Sequence, residues 1–597
     1  MKQNLSFKHI LTVAVCALSV ASCSLDYEPK TGPSSGNFPA NITEAEYGLY
    51  AAYKSLSTFD ASSVAWWKVA DNITDIGVTR VNTAKFTELV TSAATGENAV
   101  SVKIYNTIYN VVSRINLVLD GLGNLEGKEP AEDIAALRNE LLCLRAFCYD
   151  MGCQYYGDMP YIDHSLSLTD NQYPRTPREE VTAKLLTDLS DENIATLPLR
   201  HNQSQFGTAR IGQVAAYGLR ARIALEWGNY ELAATSAAKA IALAKEAGYE
   251  LQPLDLSFCG EDHDAGEPTG TVDLFGYAGH ANSKEWIWCV QFDRRIDGNT
   301  LKEAYYQLSR VPGGCAYFGP SQHFIDMFQC TDGKSISESP LYDWQHPWKN
   351  RDPRLDLYCV RPGSRLYNYE FQTSKNAKTI KDYNTGADVS NLESQGTKGV
   401  YGANGSKGPG GYLWRKHIDI AELDNGSITS SSPSDMNCGL MRLAELYLIE
   451  AEANIEWTGG DLALAKKDLD LIRSRVGMPE VDGSSRESLR KALRYERAVE
   501  LCDEGFRWFD LRRWGIAEKA VNGTIYAPAQ DGSMSNARPS FDDNWLPTYD
   551  GSTFDGQAMN LRVYNTYTYR TGKDELWPIP QTELDTNPLI NENNPGY

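Results

Sequence analysis

Two stretches of the chain carry the hydrophobic periodicity of paired helices. Across 215–227 an apolar residue recurs at every fourth position, a turn with glycine follows at 228–230, and alanine-rich apolar positions then resume. Across 444–455 a similar apolar face precedes glycines at 459–460 and a further apolar face at 463–472. Because this spacing places apolar side chains on one face of a helix, each stretch predicts a helical hairpin that resembles a tetratricopeptide unit.

The rest of the pattern places these hairpins in a larger helical frame. Helical spacing dominates about 41–250 and returns over about 436–520, whereas about 251–435 is rich in Gly, Pro, Tyr and Trp, with short apolar runs such as 285–290 that predict strands. We therefore predict a mainly α fold. A tetratricopeptide-like helical frame carries a large loop-rich insertion with a few short strands. This insertion is the predicted ligand-binding lobe, and a C-terminal segment follows at 521–597. The two hairpins are too far apart in sequence to form a tandem array.

The N-terminus predicts a secretory signal. Two lysines precede an apolar run at 10–20, which is too short to span a bilayer. The sequence Val20-Ala21-Ser22-Cys23 resembles a bacterial lipobox, which implies removal of the signal peptide 1–22 and attachment of diacylglycerol to the Cys23 thiol. An ordinary secretory signal with an incidental cysteine is the alternative. Residues 23–40 then form a lipidated N-terminus and a flexible tether.

Composition and charge narrow the classes of ligand. The 597 residues include 57 Lys and Arg against 78 Asp and Glu, for a net charge of −21. This balance disfavours nucleic acid, because phosphate contacts need clustered cations. Tyr accounts for 33 residues and Trp for 13, and both side chains combine an apolar ring with a polar group. Neutral or cationic ligands fit this composition, and no nucleic-acid partner is predicted.

No motif predicts catalysis or a metal centre. The 12 cysteines include no Cys-x-x-Cys pair, and the chain has no His-Glu-x-x-His motif and no P-loop. The acidic cluster Glu261-Asp262-His263-Asp264 offers oxygen ligands of the kind that Ca²⁺ takes, with a solvated loop as the alternative, so structural calcium stays open and no cofactor is required. Paired carboxylates of a glycoside hydrolase depend on separation in space, which the sequence leaves open. We expect a protein without enzymatic activity.

Ordered motifs run through the whole chain. They are Tyr105 with Ile108 and Asn116, Leu144-Arg145-Ala146, Tyr155-Tyr156-Gly157-Asp158-Met159-Pro160, Arg351-Asp352-Pro353-Arg354, Arg442-Leu443-Ala444-Glu445, Glu496-Arg497, Glu504-Gly505-Phe506-Arg507, Trp577-Pro578-Ile579-Pro580 and Asn594-Pro595-Gly596-Tyr597. With the lipobox, these motifs make the chain resemble the SusD/RagB family, surface lipoproteins of Bacteroidetes nutrient-uptake systems. The resemblance implies one SusD-like domain over 41–597. The charged motif residues lie beside aromatic ones and predict ion pairs that hold the frame together.

The resemblance also implies a function and a location. Members of this family capture oligosaccharides, or in some cases peptides, for a SusC-like TonB-dependent transporter barrel. The chain is therefore expected at the outer membrane, held by its lipid anchor and facing the cell exterior, where it binds glycan. Peptide capture by the same architecture is the first alternative. A helical glycoside hydrolase, with two carboxylates in an aromatic cleft, is the second.

Candidate ligand-binding residues combine aromatic rings with polar groups. Sugar rings pack their C–H surfaces on aromatic faces, while polar side chains bond the hydroxyls. The candidates are Trp66, Trp67, Asp71, Asn72, Tyr305, Tyr306, Tyr317, Phe318 and Trp344, and the set extends to Trp348, Tyr401, Tyr412 and Trp414. Burial against the frame is the alternative for the tryptophan pair at 66–67. Trp286 and Trp288, on one face of a predicted strand, are interpreted as core.

Overall fold

The computed structural model describes residues 38–58, 66–80, 84–167, 169–201, 209–256, 259, 274–296, 300–393, 411–419, 434–529, 531–536, 538–549 and 560–597. The predicted signal peptide, Cys23, most of the predicted tether, the acidic cluster at 261–264 and Tyr401 lie outside the described residues. Within the described ranges, no helix combines the length and the apolar character needed to cross a bilayer.

The first part of the chain packs around one long helix. Its elements are α1 (Ile42–Leu56), α2 (Trp66–Asn72), β1 (Gly77–Thr79), α3 (Ala84–Val90), α4 (Ala99–Gly121), a 3-10 turn (Leu122–Leu125), α5 (Ala131–Tyr156), α6 (Arg178–Asp188), α7 (Asp191–Ala195), α8 (Gln213–Glu226) and α9 (Tyr230–Glu246). Helices α1, α4, α6, α7 and α8 all contact α5. As a result, α5 is buried from Leu141 to Tyr156 except at Leu142.

The middle of the chain is rich in loops and short strands. Its elements are α10 (Tyr277–Asn282), β2 (Trp286–Val290), α11 (Glu303–Gln307), β3 (Phe318–Pro320), α12 (Gln322–Met327), α13 (Arg354–Tyr358), β4 (Cys359–Val360), β5 (Arg365–Leu366), β6 (Tyr369–Glu370), β7 (Thr379–Lys381), β8 (Asp388–Ser390) and β9 (Leu413–Trp414). Strand β2 confirms the strand predicted at 285–290. Trp286 and Trp288 are fully buried in the core, as predicted.

The last part of the chain returns to helices and ends in further short strands. Its elements are β10 (Cys438–Arg442), α14 (Leu443–Glu456), α15 (Leu462–Ser474), α16 (Arg486–Glu500), α17 (Arg507–Arg513), α18 (Ala517–Val521), β11 (Gly523–Pro528), β12 (Ser540–Phe541), β13 (Pro547–Thr548), β14 (Leu561–Tyr567) and α19 (Gln581–Thr586). Each sheet of the described residues has two antiparallel strands, paired β1–β3, β2–β10, β4–β9, β5–β6, β7–β8, β11–β14 and β12–β13. The predicted mainly α fold with short strands is confirmed.

The two predicted helical hairpins are α8–α9 and α14–α15. The Asn229 side chain accepts from the Leu232 N–H at 3.3 Å and so caps α9, while Asp461 accepts from the Leu464 N–H at 3.1 Å and caps α15. Helix α9 packs directly against α14. Alanines of α8, α9 and α14 are buried together at this contact, because small side chains let the helix backbones approach closely. Hairpins that are distant in sequence therefore share one core.

Two carboxyl groups meet inside the second hairpin. Glu450 on α14 and Asp468 on α15 are both buried, and each affects the pKa of the other. Burial, together with the neighbouring Glu450 charge, raises the pKa of Asp468 well above its ordinary range. At neutral pH the folded protein therefore holds a proton here that the unfolded chain has already released at acid pH.

We expect Asp468→Asn to make the fold less sensitive to alkaline pH. A group whose pKa is raised by folding contributes stability at acid pH, and this contribution is lost as the pH rises through the folded-state pKa. An asparagine amide donates to Glu450 at every pH. Urea unfolding at about pH 5 and about pH 8 should show a larger loss for wild type than for the variant. Asp133→Asn, an exposed position in the first turn of α5, is the control, and equal losses in wild type and Asp468→Asn would contradict the shared proton.

A buried network of ion pairs joins distant parts of the chain. Arg354 lies 2.7 Å from Asp352 and 2.7 Å from Glu496, and all three side chains are buried. Arg442 lies 2.9 Å from Glu500, whose pKa is lowered by the surrounding cations although burial opposes this. The same network includes Glu285, Lys416, Arg473, Arg475 and Glu504. The predicted structural role of the charged motif residues is confirmed for this set.

Candidate functional site

The first predicted group lies on the short helix α2. Trp66 and Trp67 form its first two residues, and their side chains lie outside what the structure describes. Lys68, Asp71 and Asn72 share one face of the helix, because residues three and four positions apart are neighbours on a helix surface. All three are buried. This face of α2 is therefore directed into the frame.

Asp71 and Asn72 were expected to contact a ligand, but the structure places both side chains inside the frame. The Asp71 carboxylate accepts from the backbone N–H groups of Gly505, at 2.9 Å, and Arg507, at 2.8 Å. Burial raises the pKa of Asp71 to about 7, although these two hydrogen bonds oppose the shift. Asn72 donates to the Lys68 carbonyl and accepts from the Trp414 indole N–H at 2.9 Å. Both side chains are engaged inside the frame and have no surface for a ligand.

The second predicted group forms a cluster of three half-buried tyrosines, Tyr305, Tyr306 and Tyr317, called the tyrosine cluster below. The rings of Tyr306 and Tyr317 lie 4.8 Å apart, and those of Tyr305 and Tyr306 lie 5.2 Å apart. The Arg80 guanidinium stands 5.2 Å from the centre of the Tyr317 ring. The cluster thus combines aromatic faces, phenol groups and a cation within one small surface.

Backbone hydrogen bonds hold the tyrosine cluster in place. The Tyr317 N–H donates to the Tyr306 carbonyl at 2.6 Å, which ties β3 to α11. The Arg80 N–H donates to the Tyr317 carbonyl at 2.9 Å, next to the β1–β3 pair. Phe318, the next residue, is fully buried and packs on Phe86 with ring centres 5.2 Å apart. Phe318 is therefore core, contrary to the expectation from sequence, because side chains alternate between the two faces of a strand.

The structure brings the two predicted groups close together. Lys68, directly after Trp67, lies with its Nζ 3.2 Å from Oδ2 of the buried Asp503. Gln307, directly after Tyr306, donates to the same oxygen at 3.0 Å. Helix α2 also contacts β3. The start of α2 and the tyrosine cluster, predicted from stretches more than two hundred residues apart, are thus neighbours in the fold.

Trp344 lies in a loop whose neighbouring residues line a separate cleft. It is 37% exposed, in the segment between the buried Tyr342 and the half-buried Trp348. Tyr342 and Trp348 line a cleft with a volume of about 310 Å³. Tyr412 also lines the cleft, and its ring centre lies 6.2 Å from that of Trp348 with an angle of 80° between the ring planes. Trp344 is therefore close in sequence to residues that line this cleft, although it does not line the cleft itself.

A chain of hydrogen bonds forms one wall of the cleft. Tyr549 donates to Asp326 at 2.8 Å, Gln322 donates to the other Asp326 oxygen at 2.9 Å, and Tyr412 donates to Gln322 at 2.8 Å. Burial raises the pKa of Asp326 to about 6. Residues 528–529 and 531–535 also line the cleft. Sequence analysis missed Gln322, Asp326, residues 528–529 and residues 531–535, because no periodicity or motif connects them to the aromatic residues.

The arrangement suits reversible binding of a polar, ring-containing molecule. Aromatic faces beside hydroxyl, amide and guanidinium groups can contact both the C–H surfaces and the hydroxyls of such a molecule. Among the described side chains, no three His, Cys, Asp or Glu are placed to hold a metal ion.

Comparison with known families gives two matches along the chain. A family model described as the SusD family matches residues 284–597. A second, described as starch-binding and associating with the outer membrane, matches residues 25–225. SusD-like protein P38 of Formosa agariphila is 22% identical over 544 residues, which cover 89% of this chain and 95% of the relative.

Solved structures share the fold. A SusD-like carbohydrate binding protein from Bacteroides fragilis superposes with a TM-score of 0.73 at 20% identity, covering 92% of this chain and 99% of that one. Surface glycan-binding protein A from Bacteroides thetaiotaomicron, solved in complex with laminarihexaose, gives a TM-score of 0.61 at 17% identity, covering 93% and 99%. At these identities the likeness concerns the fold.

Proposed function

Because the chain belongs to the SusD family, we propose that it is a cell-surface glycan-binding lipoprotein that captures oligosaccharides and delivers them to a SusC-like TonB-dependent transporter. Cys23, in its lipobox context, is the proposed lipid attachment site at the outer membrane. A lipid anchor and a tether keep the binding protein near its transporter at a high effective concentration while allowing it to move.

The tyrosine cluster is the main support for glycan binding. Three adjacent rings, half-buried and fixed by backbone hydrogen bonds, present aromatic surface with little loss of conformational freedom on binding. Trp66 and Trp67 are proposed to extend this surface from the start of α2. Arg80, over Tyr317, is proposed as a hydrogen-bond donor to sugar hydroxyls. The cleft lined by Trp348 is a second place where a saccharide chain can be held.

We expect the soluble chain, residues 24–597, to retard in affinity electrophoresis on at least one neutral polysaccharide. The panel includes laminarin, starch, mannan and xylan, with bovine serum albumin as the non-binding reference. Calorimetry with oligosaccharides of the retarding polymer gives the affinity. A matched peptide mixture is titrated in parallel. Binding to peptides and to no glycan would overturn glycan capture in favour of peptide capture, and release of shorter sugars during incubation would indicate a hydrolase.

A further inference from the structure

A second large pocket lies away from the tyrosine cluster and is lined by several cations. It has a volume of about 740 Å³ and lies between the turn joining α8 to α9, helix α17 and residues 571–576. Its charged lining residues are Arg178, Arg512, Arg513, Lys573, Glu226 and Glu575. We call this the cationic pocket.

Arg512 differs from its neighbour Arg513 in having no carboxylate partner among the described residues. Arg513, the next residue, lies 2.7 Å from Asp510 and also pairs with Glu452. Arg512 donates from Nη1 to the Gln154 carbonyl at 2.6 Å, but no carboxylate among the described residues forms an ion pair with it. Its buried Nε meets no acceptor in the described part of the chain. Burial lowers the pKa of Arg512, while the charges of Tyr569 and Glu226 oppose this shift and that of Arg178 adds to it. A half-buried guanidinium without a counterion is costly, and an anion would supply the missing partner.

The carboxyl groups of the pocket only partly offset its cations. Glu226 lies 3.6 Å from Arg513, and burial raises its pKa to about 7. Near neutral pH this group is therefore partly protonated and contributes less than a full negative charge. Arg513 and Arg178 have carboxylate partners outside the lining, so the positive charge without an ion-pair partner among the described residues is that of Arg512 and Lys573. The chain as a whole carries −21. An anion bound here is held by specific contacts against the field of the whole protein.

The remaining lining suits a sugar ring. Trp227 and Tyr230 are half-buried at the pocket, and the Arg178 guanidinium stands 5.5 Å from the centre of the Trp227 ring. Gln154 lines the pocket, and its buried Oε1 accepts no hydrogen bond among the described residues, so a ligand hydroxyl that displaces the side chain slightly would satisfy this oxygen. Aromatic rings, an unsatisfied acceptor and the Arg512 guanidinium, which has no ion-pair partner among the described residues, match a ring that carries both hydroxyls and a carboxylate. Arg178, whose ion pair with Glu179 at 3.2 Å is solvent-exposed, can add a second guanidinium to such a carboxylate.

We infer that the cationic pocket binds an acidic saccharide, with a uronate carboxylate at Arg512 and Arg178 and the sugar ring against Trp227. This site rests on the proposed glycan-binding function and adds to it a class of ligand that the tyrosine cluster does not select. It is a separate site, so its occupancy does not require the tyrosine cluster.

Calorimetry with two matched probes tests the inference. The soluble chain is titrated with a hexamer of galacturonic acid and with a hexamer of glucose at constant ionic strength. We expect Arg512→Gln to weaken uronate binding about tenfold, the size of one lost charge-assisted hydrogen bond, and to leave the glucose hexamer unaffected. Arg178→Gln, with a side chain 40% exposed, reports on the same site if Arg512→Gln does not fold. Arg114→Gln, an exposed arginine on α4, is the matched control.

The outcomes separate this inference from the proposed function. No uronate binding by wild type, with neutral glycan binding retained, overturns the acidic-saccharide site alone. Equal uronate affinity in wild type, Arg512→Gln and Arg178→Gln also overturns it. Free sulfate that competes as strongly as the uronate hexamer overturns the saccharide assignment, because it indicates a site for any oxyanion. Absence of any glycan binding by the wild-type protein overturns the proposed function itself.

Discussion

Arg354→Met should lower the free energy of unfolding by about 3–5 kcal/mol, the usual cost of removing one partner from a buried ion pair. The reason is the number of carboxylates that Arg354 neutralises. It contacts Asp352, Glu496 and Glu500, at 2.7, 2.7 and 3.3 Å, and all of these side chains are fully buried. Methionine fills a similar volume but leaves these carboxylates short of one cation. Urea unfolding of the soluble chain, followed by tryptophan fluorescence, measures the loss.

Substitution of an exposed arginine shows whether the loss of stability comes from the buried ion pairs of Arg354 or would follow the loss of any arginine. Arg295 pairs with Asp293, and its side chain is 79% exposed. We expect Arg295→Met to have little or no effect, since solvent screens such pairs and side-chain entropy opposes them. Equal effects of the two substitutions would mean that the buried network does not hold the frame together. A further comparison with Arg354→Lys would show whether the planar guanidinium, which bonds Asp352 and Glu496 together, is itself required.

The helical frame could be predicted because local sequence determines it. Residues 215–226 and 444–455 form helices where apolar spacing indicates them, and Asn229 and Asp461 cap the helices that follow. The sequence does not reveal that α9 packs on α14. Periodicity shows that a helix has an apolar face, but it does not identify the partner helix, and small alanines are compatible with many partners.

The candidate site was predicted in part. Tyr305, Tyr306 and Tyr317 lie together at a surface, while Asp71, Asn72 and Phe318 are buried beside the predicted aromatic groups. Nearness in sequence does not fix exposure, because neighbouring residues on a helix or strand point in different directions. The polar wall of the cleft formed by Gln322 and Asp326 depends on Tyr412 and Tyr549, which are distant in sequence. No local pattern could predict that wall.

Tyr306→Ala should weaken binding of the neutral oligosaccharide found by electrophoresis at least about tenfold, since truncation of an aromatic contact at a binding centre commonly has this effect. Tyr306 is the middle ring of the cluster and lies about 5 Å from both neighbours. Its removal takes away one aromatic face and also the support that positions Tyr305 and Tyr317. Calorimetry on folded variants, checked by unaltered thermal unfolding, gives the change in affinity.

Two control variants show whether the loss of oligosaccharide affinity comes from the aromatic ring of Tyr306. Tyr306→Phe keeps the aromatic face and removes the hydroxyl, so we expect most of the affinity to remain if stacking dominates. Tyr47→Ala removes a tyrosine that is 63% exposed on α1 and should leave binding unchanged. Comparable losses in Tyr306→Phe and Tyr306→Ala would assign the contact to the phenol group instead of the ring. Full affinity in Tyr306→Ala would exclude the tyrosine cluster as the glycan site. The glycan would then bind in the cleft lined by Trp348 and Tyr412, and Trp348→Ala would be expected to abolish binding.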